Sequence, residues 1–350
     1  ESWAIFGQFD YNLTETVILT AGIRYTEEDK KMTTVFSESW TPSAPAFAPL
    51  DFARAENALT AADGGNLVPL NDLLAADPTH FNNYVNPGWG GYLFAGFTPR
   101  DNINAELDDE QISGTLKLSW LVNDDTMVYA SYGTGYKSGG TNTDRIAAGF
   151  DPVFDAETSE SFELGIKTEL PDHALRINAA LHYTTVDDFQ ANTFVGTGFV
   201  LQNAGEIESY GGELELFWMP AENTEVSLNY AYSHAEYAEF ENAGCQIATP
   251  EHTGIPEPRQ PGTNACDRSG DRIALNPEHA ANLGIKQIFS LADGIDAYVY
   301  GEYTFLSGLV MGNDNDPLKE QKDYGLLNLR AGLEFVESDM ALTFWGRNVL

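Results

Sequence analysis

The sequence predicts an all-β fold: about twelve long antiparallel strands in up-and-down order, making the wall of a transmembrane β-barrel. Three observations carry this. Apolar and polar residues alternate with a period of two over long stretches. The connections between strands alternate between tight turns and longer loops, so all tight turns fall at one end and all loops at the other. Basic residues, although few, sit on the polar face of the strands, where lipid would not tolerate them.

Taken in order, an opening strand over Trp3–Tyr11 turns near Asn12 into a long strand over Thr16–Phe36, where Val17, Leu19, Ala21, Ile23 and Tyr25 share a face. Regular alternation stops from about 37 to 106, a segment read as a long extracellular loop with a short helix at Leu67–Ala76. A hairpin follows. In its first arm Ile112, Leu116, Leu118 and Trp120 oppose Ser113, Thr115, Lys117 and Ser119; its second arm, Val128 to Gly140, ends in glycines. After a loop near 141–155, Phe162–Leu170 turns at Pro171-Asp172-His173 into a strand reaching Phe189, with a short loop near Thr193–Gly198. Ser209–Pro220 and Thr224–Tyr237 pair next, and a cysteine-bearing loop spans about 239–272. Two further hairpins turn near Asp293 and Glu337, separated by a loop at Ser307–Lys322. Trp120, Trp218, Phe289 and Phe335 lie beside tight turns, as an interfacial aromatic girdle would. The chain opens and closes inside strands, which reads as a fragment of a larger barrel.

Composition narrows the class. Mean hydropathy is −0.28 and no run of about 18 apolar residues exists, so no transmembrane helix is predicted. A net charge of −35 opposes nucleic-acid binding, which needs a basic face. With 12 % aromatic residues the charge reflects a solvated acidic exterior rather than disorder. Cys245 and Cys266 share one loop and are read as a disulfide, implying an oxidising compartment. They do not make a zinc site, since His252 alone lies near.

No enzymatic signature appears: there is no GxSxG or HExxH, and the six histidines do not cluster at metal-ligand spacing. His182 and Ser233 are poor candidates for a phospholipase pair. Gly133, Gly135, Gly139 and Gly140 lack the Gly-Lys-Ser/Thr order of a P-loop and mark a strand breaking into a loop. No cofactor or metal is expected.

YASYGTGYKSGGTN (129–142) resembles a signature of TonB-dependent outer-membrane receptors. ETSESFELGIK (157–167), NAGEIESYGGELEL (203–216), LNLRAGLEF and FWGRNVL resemble later strands of the same family, in family order over most of 108–350. The resemblance implies a 22-stranded barrel with an N-terminal plug. It implies that this chain is the later part of that barrel, without the plug or the closing strand. The implied activity is uptake of a scarce solute across the outer membrane of a Gram-negative bacterium, energised through TonB. The solute class taken is a ferric siderophore; cobalamin, haem, carbohydrate, or a passive porin are the alternatives. Implied partners are the TonB complex through the plug, the plug in the lumen, outer-membrane lipid and lipopolysaccharide.

For ligand contact in the vestibule, the candidates are Trp40, Trp89, Tyr92, Tyr136 and Lys137. For the lumen, facing the plug, they are Lys117, Glu163, Lys167, Arg176, Glu213, Glu215, Arg330 and Arg347.

Overall fold

The computed structural model describes residues 1–35, 102–142, 151–195, 198–203, 205–241, 243–245 and 266–350. Twelve strands form one continuous sheet: β1 (Ser2–Asn12), β2 (Val17–Thr34), β3 (Ile103–Asn123), β4 (Thr126–Lys137), β7 (Glu157–Leu170), β8 (Leu175–Asp187), β11 (Glu206–Ala221), β12 (Thr224–Glu239), β13 (His279–Ala292), β14 (Ile295–Leu306), β17 (Tyr324–Phe335) and β18 (Met340–Gly346). They follow one another in sequence order without a crossover, every neighbouring pair is antiparallel, and the sheet is not closed on itself. Three small two-stranded ribbons sit in the loops: β5 (Gly140–Thr141) with β6 (Val153–Phe154), β9 (Gln190–Val195) with β10 (Gly198–Asn203), and β15 (Leu309–Val310) with β16 (Glu320–Gln321).

The tight turns fall where expected. Two are short 3₁₀ turns, Pro171–His173 and Val336–Ser338, each closed by a left-handed residue, Ala174 or Asp339. At the β13–β14 turn Gly294 takes φ +73°, a conformation that strains any residue with a Cβ.

Register sorts the two faces. Paired residues in an antiparallel sheet point the same way. One row reads Trp120, Val128, Ile166, Ala179, Leu214, Tyr230 across β3, β4, β7, β8, β11 and β12. The row three residues along β3 reads Lys117, Ser131, Glu163, His182, Gly211 and lies on the opposite face. Side chains of the apolar face stand free of protein: Ile112 is 68 % exposed, Leu181 64 % and Leu164 58 %. A contiguous apolar face of this extent needs an apolar solvent. Among the described residues no helix is long and apolar enough to cross a membrane.

The compact core lies where the loop-side ends of β8, β11 and β12 meet the loops that join them. Ala191, Ile207, Tyr237, Phe240 and Ala243 pack together, with Val186, Phe189 and Ile273 against them. A disulfide joins Cys245 to Cys266 beside this cluster.

Two expectations need correction. β3 begins at Ile103, inside the segment read as loop to Glu106. Glu106, Asp108 and Glu110 occupy its outward positions, in register with Lys31, Asp29 and Glu27 of β2. Charges on that face interrupt the apolar alternation without ending the strand, because this stretch lies beyond the apolar rows. Likewise the connection after β8 is not a short loop: the chain leaves the wall at Asp187, forms the β9–β10 ribbon and returns at Glu206. The return runs through Gly205 (φ +44°), where a Cβ would lie 2.2 Å from the Glu239 carbonyl oxygen. The helix expected at Leu67–Ala76 lies outside the described residues.

Candidate functional site: the lumen wall and its extracellular rim

On the polar face the sheet places charged side chains on neighbouring strands. Lys117 and Glu163 share one register row, Lys167 and Glu215 another through Asn178, and Glu213 lies in the row of Ser119, Tyr129, Gly165 and Ala180. Arg176 pairs with Phe217, and Arg330 with Tyr300 and Trp345. All seven belong to the polar face by strand parity. Arg347 follows the end of β18 and packs its guanidinium 5.0 Å from the Trp345 ring. With Tyr298, Tyr300, Glu302, Asn328 and Arg330 it lines a cavity of about 570 Å³.

These charges are held by neutral neighbours more than by one another. The Arg176 guanidinium lies over Phe217 (5.8 Å) and the Lys117 ammonium over Tyr129 (4.5 Å). Asn178 donates to Glu215 (3.0 Å), and Asn282 and Asn328 donate to the two oxygens of Glu302 (3.2 and 3.3 Å). Among the described residues no cation stands within ion-pair distance of Glu163, Glu213 or Glu215. Glu213 and Glu215 are exposed to the lumen.

At the rim, the glycine-ended strand β4 anchors the loops. Lys137 pairs with Glu157 (3.4 Å), whose carboxylate also accepts from the Gln190 backbone N–H (2.8 Å). The Lys30 ammonium reaches over to Ser138, the Gly139 carbonyl (2.7 Å) and Glu28 (3.0 Å). Buried Gln190 donates through its amide to the carbonyls of Ser138 (2.9 Å) and Asp155 (3.0 Å). Buried Asn142 pairs both ways with the Leu201 backbone, donating at 2.8 Å and accepting at 2.9 Å. Asn203 accepts from the Asp155 N–H (2.7 Å) and donates to the Asp188 carbonyl (2.7 Å). Amide side chains thus stitch the β4–β7 loop to the β8–β11 loop.

The cysteine loop is tied down separately. His234 of β12 contacts Glu278 (3.0 Å) and Glu236 (3.1 Å), and Arg272 reaches Glu278 (3.3 Å). The hydrogen bond from His234, helped by Arg272, holds the Glu278 carboxyl below the usual glutamate range.

Of the vestibule candidates, Trp40, Trp89 and Tyr92 lie outside the described residues. Tyr136 pairs with Thr158, two positions along each strand from Thr134 and Glu160, and so belongs to the outward face, while Lys137 belongs to the lumen face. Sequence reading missed Tyr129, Asn142, Gln190 and Asn203. Asn142 was within sight, closing the glycine-rich motif, but its partner Leu201 is 59 residues away.

A family model described as TonB dependent receptor-like, beta-barrel, matches residues 1–349. The chain belongs to this family. It is therefore a wall of an outer-membrane β-barrel, and the apolar face is the one turned to the membrane. Among curated relatives, the Pesticin receptor of Yersinia pestis is 32 % identical over 130 residues, covering 37 % of this chain and 19 % of that receptor. The ferric yersiniabactin uptake receptor FyuA from Yersinia pestis superposes with a TM-score of 0.64 at 18 % identity, over 99 % of this chain and 40 % of that one. The siderophore receptor PiuA from Acinetobacter baumannii gives 0.62 at 15 % identity, over 99 % and 38 %. The copper transporter OprC gives 0.59 at 14 % identity, over 100 % and 42 %. The chain thus spans about two fifths of the solved receptors it resembles.

Proposed function

We propose that this TonB-dependent receptor wall serves energised uptake of a ferric siderophore across the outer membrane. The observation that carries the reading is the family match along 1–349, on a sheet whose faces are sorted into lipid side and lumen. FyuA and PiuA, described as a ferric yersiniabactin uptake receptor and a siderophore receptor, support the solute class. No enzymatic step is assigned to the chain.

In this reading the wall does three things. Its apolar rows seat in lipid. Its lumen charges hold a plug: Glu163, Glu213 and Glu215 accept from cationic plug groups, while Lys117, Lys167, Arg176, Arg330 and Arg347 face plug carboxylates and carbonyls. Its rim loops, including 37–102 and 239–272, form the outer vestibule in which Trp40, Trp89, Tyr92 and Lys137 meet the solute. Outer-membrane lipid and lipopolysaccharide surround it. TonB acts through the plug, drawing on the inner-membrane proton gradient, and opens a path along the lumen wall.

The test is growth of a deletion strain on defined ferric chelates as sole iron source. Growth is expected to fail on at least one chelate and to return with the intact gene. Unchanged growth on every ferric chelate, with loss on cobalamin, haem or a glycan, contradicts the siderophore assignment. Uptake that survives collapse of the proton gradient contradicts TonB coupling and favours a passive pore.

A further inference from the structure

Tyr129 is a large polar-tipped side chain on the lumen face of the wall, yet it is 9 % exposed. Three contacts explain this. Its ring lies against Gly165 on the neighbouring strand, where a Cβ would come within 2.5 Å of the ring atoms. The Lys117 ammonium lies over the ring, 4.5 Å from its centroid. Its hydroxyl donates to Oε1 of Glu163 at 2.6 Å, a short, charge-assisted hydrogen bond. Glycine supplies the notch, tyrosine fills it, and the hydroxyl is left with one direction in which to point.

The consequence falls on Glu163. A glutamate on an open wall samples several rotamers, and ordering it on contact with a partner costs side-chain entropy. Here one carboxylate oxygen is already tied to the wall, and no cation among the described residues neutralises the group. Lys117, in the same register row two strands away, lies over the tyrosine ring instead.

We propose that Tyr129 is a positioning residue: seated on Gly165 beneath Lys117, it orients Glu163 to accept a cationic arginine or lysine group from the plug. This rests on the reading that a plug fills the lumen. Tyr129 touches neither plug nor solute in this account. It acts through Glu163, and Gly165 is required because any side chain there would lift the ring.

The experiment uses the full receptor in outer-membrane vesicles. Plug release is followed as protease sensitivity of the plug against urea concentration, and barrel integrity as heat-modifiable mobility on gels. Glu163→Gln is expected to favour release. Tyr129→Phe keeps the ring and loses the donor; it is expected to raise the released fraction about tenfold at fixed urea, with barrel mobility unchanged. Gly165→Ala is expected to match it. On the Glu163→Gln background, Tyr129→Phe adds nothing. Independent, additive effects of Tyr129→Phe and Glu163→Gln overturn the positioning role, as does a silent Tyr129→Phe beside an active Glu163→Gln. If Glu163→Gln and Glu213→Gln are both silent, the plug reading itself falls, and the proposal with it.

Discussion

Replacing Ile166 by arginine puts a charge at the centre of the lipid-facing column of β7. Outward positions on this strand run Phe162, Leu164, Ile166, Thr168, Leu170. At about 3.3 Å per residue the column is ~26 Å long, and a tilt near 40° brings it to ~20 Å of height, most of a bilayer's apolar band. Ile166 sits ~10 Å from either edge by the same arithmetic, too deep for full snorkelling. Arginine at mid-depth of a barrel costs about 2–4 kcal/mol, some 30- to 700-fold in the folded-to-unfolded ratio. Lys167, the next residue, faces the lumen in the row of Asn178 and Glu215. Lys167→Ala should therefore stay within about 0.5 kcal/mol. The assay is reversible denaturant unfolding of the full receptor in lipid vesicles, followed by tryptophan fluorescence. Equal costs at the two positions, or an Ile166→Arg cost below about 0.5 kcal/mol, would refute the assignment of faces.

Other consequences follow from the rim. Asn142→Ala leaves the Leu201 N–H and carbonyl without the partners they have at 2.9 and 2.8 Å, a local cost of about 1–3 kcal/mol; faster hydrogen exchange at Leu201 with unchanged exchange in β7 is the expected readout. Cys245→Ser with Cys266→Ser opens a link spanning 21 positions, releasing about 3 kcal/mol of loop-closure restraint in the chain-entropy model; protease cutting within 239–272 should increase while the barrel's heat-modifiable mobility stays the same. Glu278 has a lowered folded pKa, so its contribution is present above the ordinary glutamate value and disappears as pH falls through the folded value. Hydrogen exchange over 272–279 should accordingly be flat from pH 7 to 5, after correction for intrinsic rates, and rise only below about pH 4. A rise between pH 7 and 5 would contradict this assignment, and His234 could not account for it: its folded pKa is raised, so its hold on Glu278 is kept, not lost, as pH falls.

The wall was legible because its information is local. A period of two assigns each residue to a face, and turn residues such as Asn123, Pro171-Asp172 and Asp293-Gly294 place the strand ends. The loop-side halves of the strands were harder to read for a physical reason. Above the membrane the outward face meets water, so Glu106, Asp108 and Glu110 continue β3 without the apolar alternation that betrays it below. The β9–β10 ribbon was read as a short loop near Thr193–Gly198, because two strands of six residues each are too short for a period of two to stand out beside a turn. Site residues divide the same way. The lumen charges follow from parity, whereas Tyr129 matters through Glu163 and Gly165, on a strand brought beside it by a connection that sequence spacing does not reveal. Tyr136 stands beside Lys137 in the motif, yet parity turns it to the other face.

The most direct measurement of the central claim is a cysteine scan along β7, residue by residue from Ser161 to Lys167, in outer membranes. Cys245 and Cys266 are already joined, so this stretch of chain adds no reactive thiol to the background. Positions 162, 164 and 166 are expected to react with a lipid-confined thiol reagent and to resist a small aqueous one. Positions 161, 163, 165 and 167 are expected to do the reverse once the plug is displaced with urea. Uniform reactivity along the strand, or the opposite phase, would contradict a wall with lipid on one face and lumen on the other.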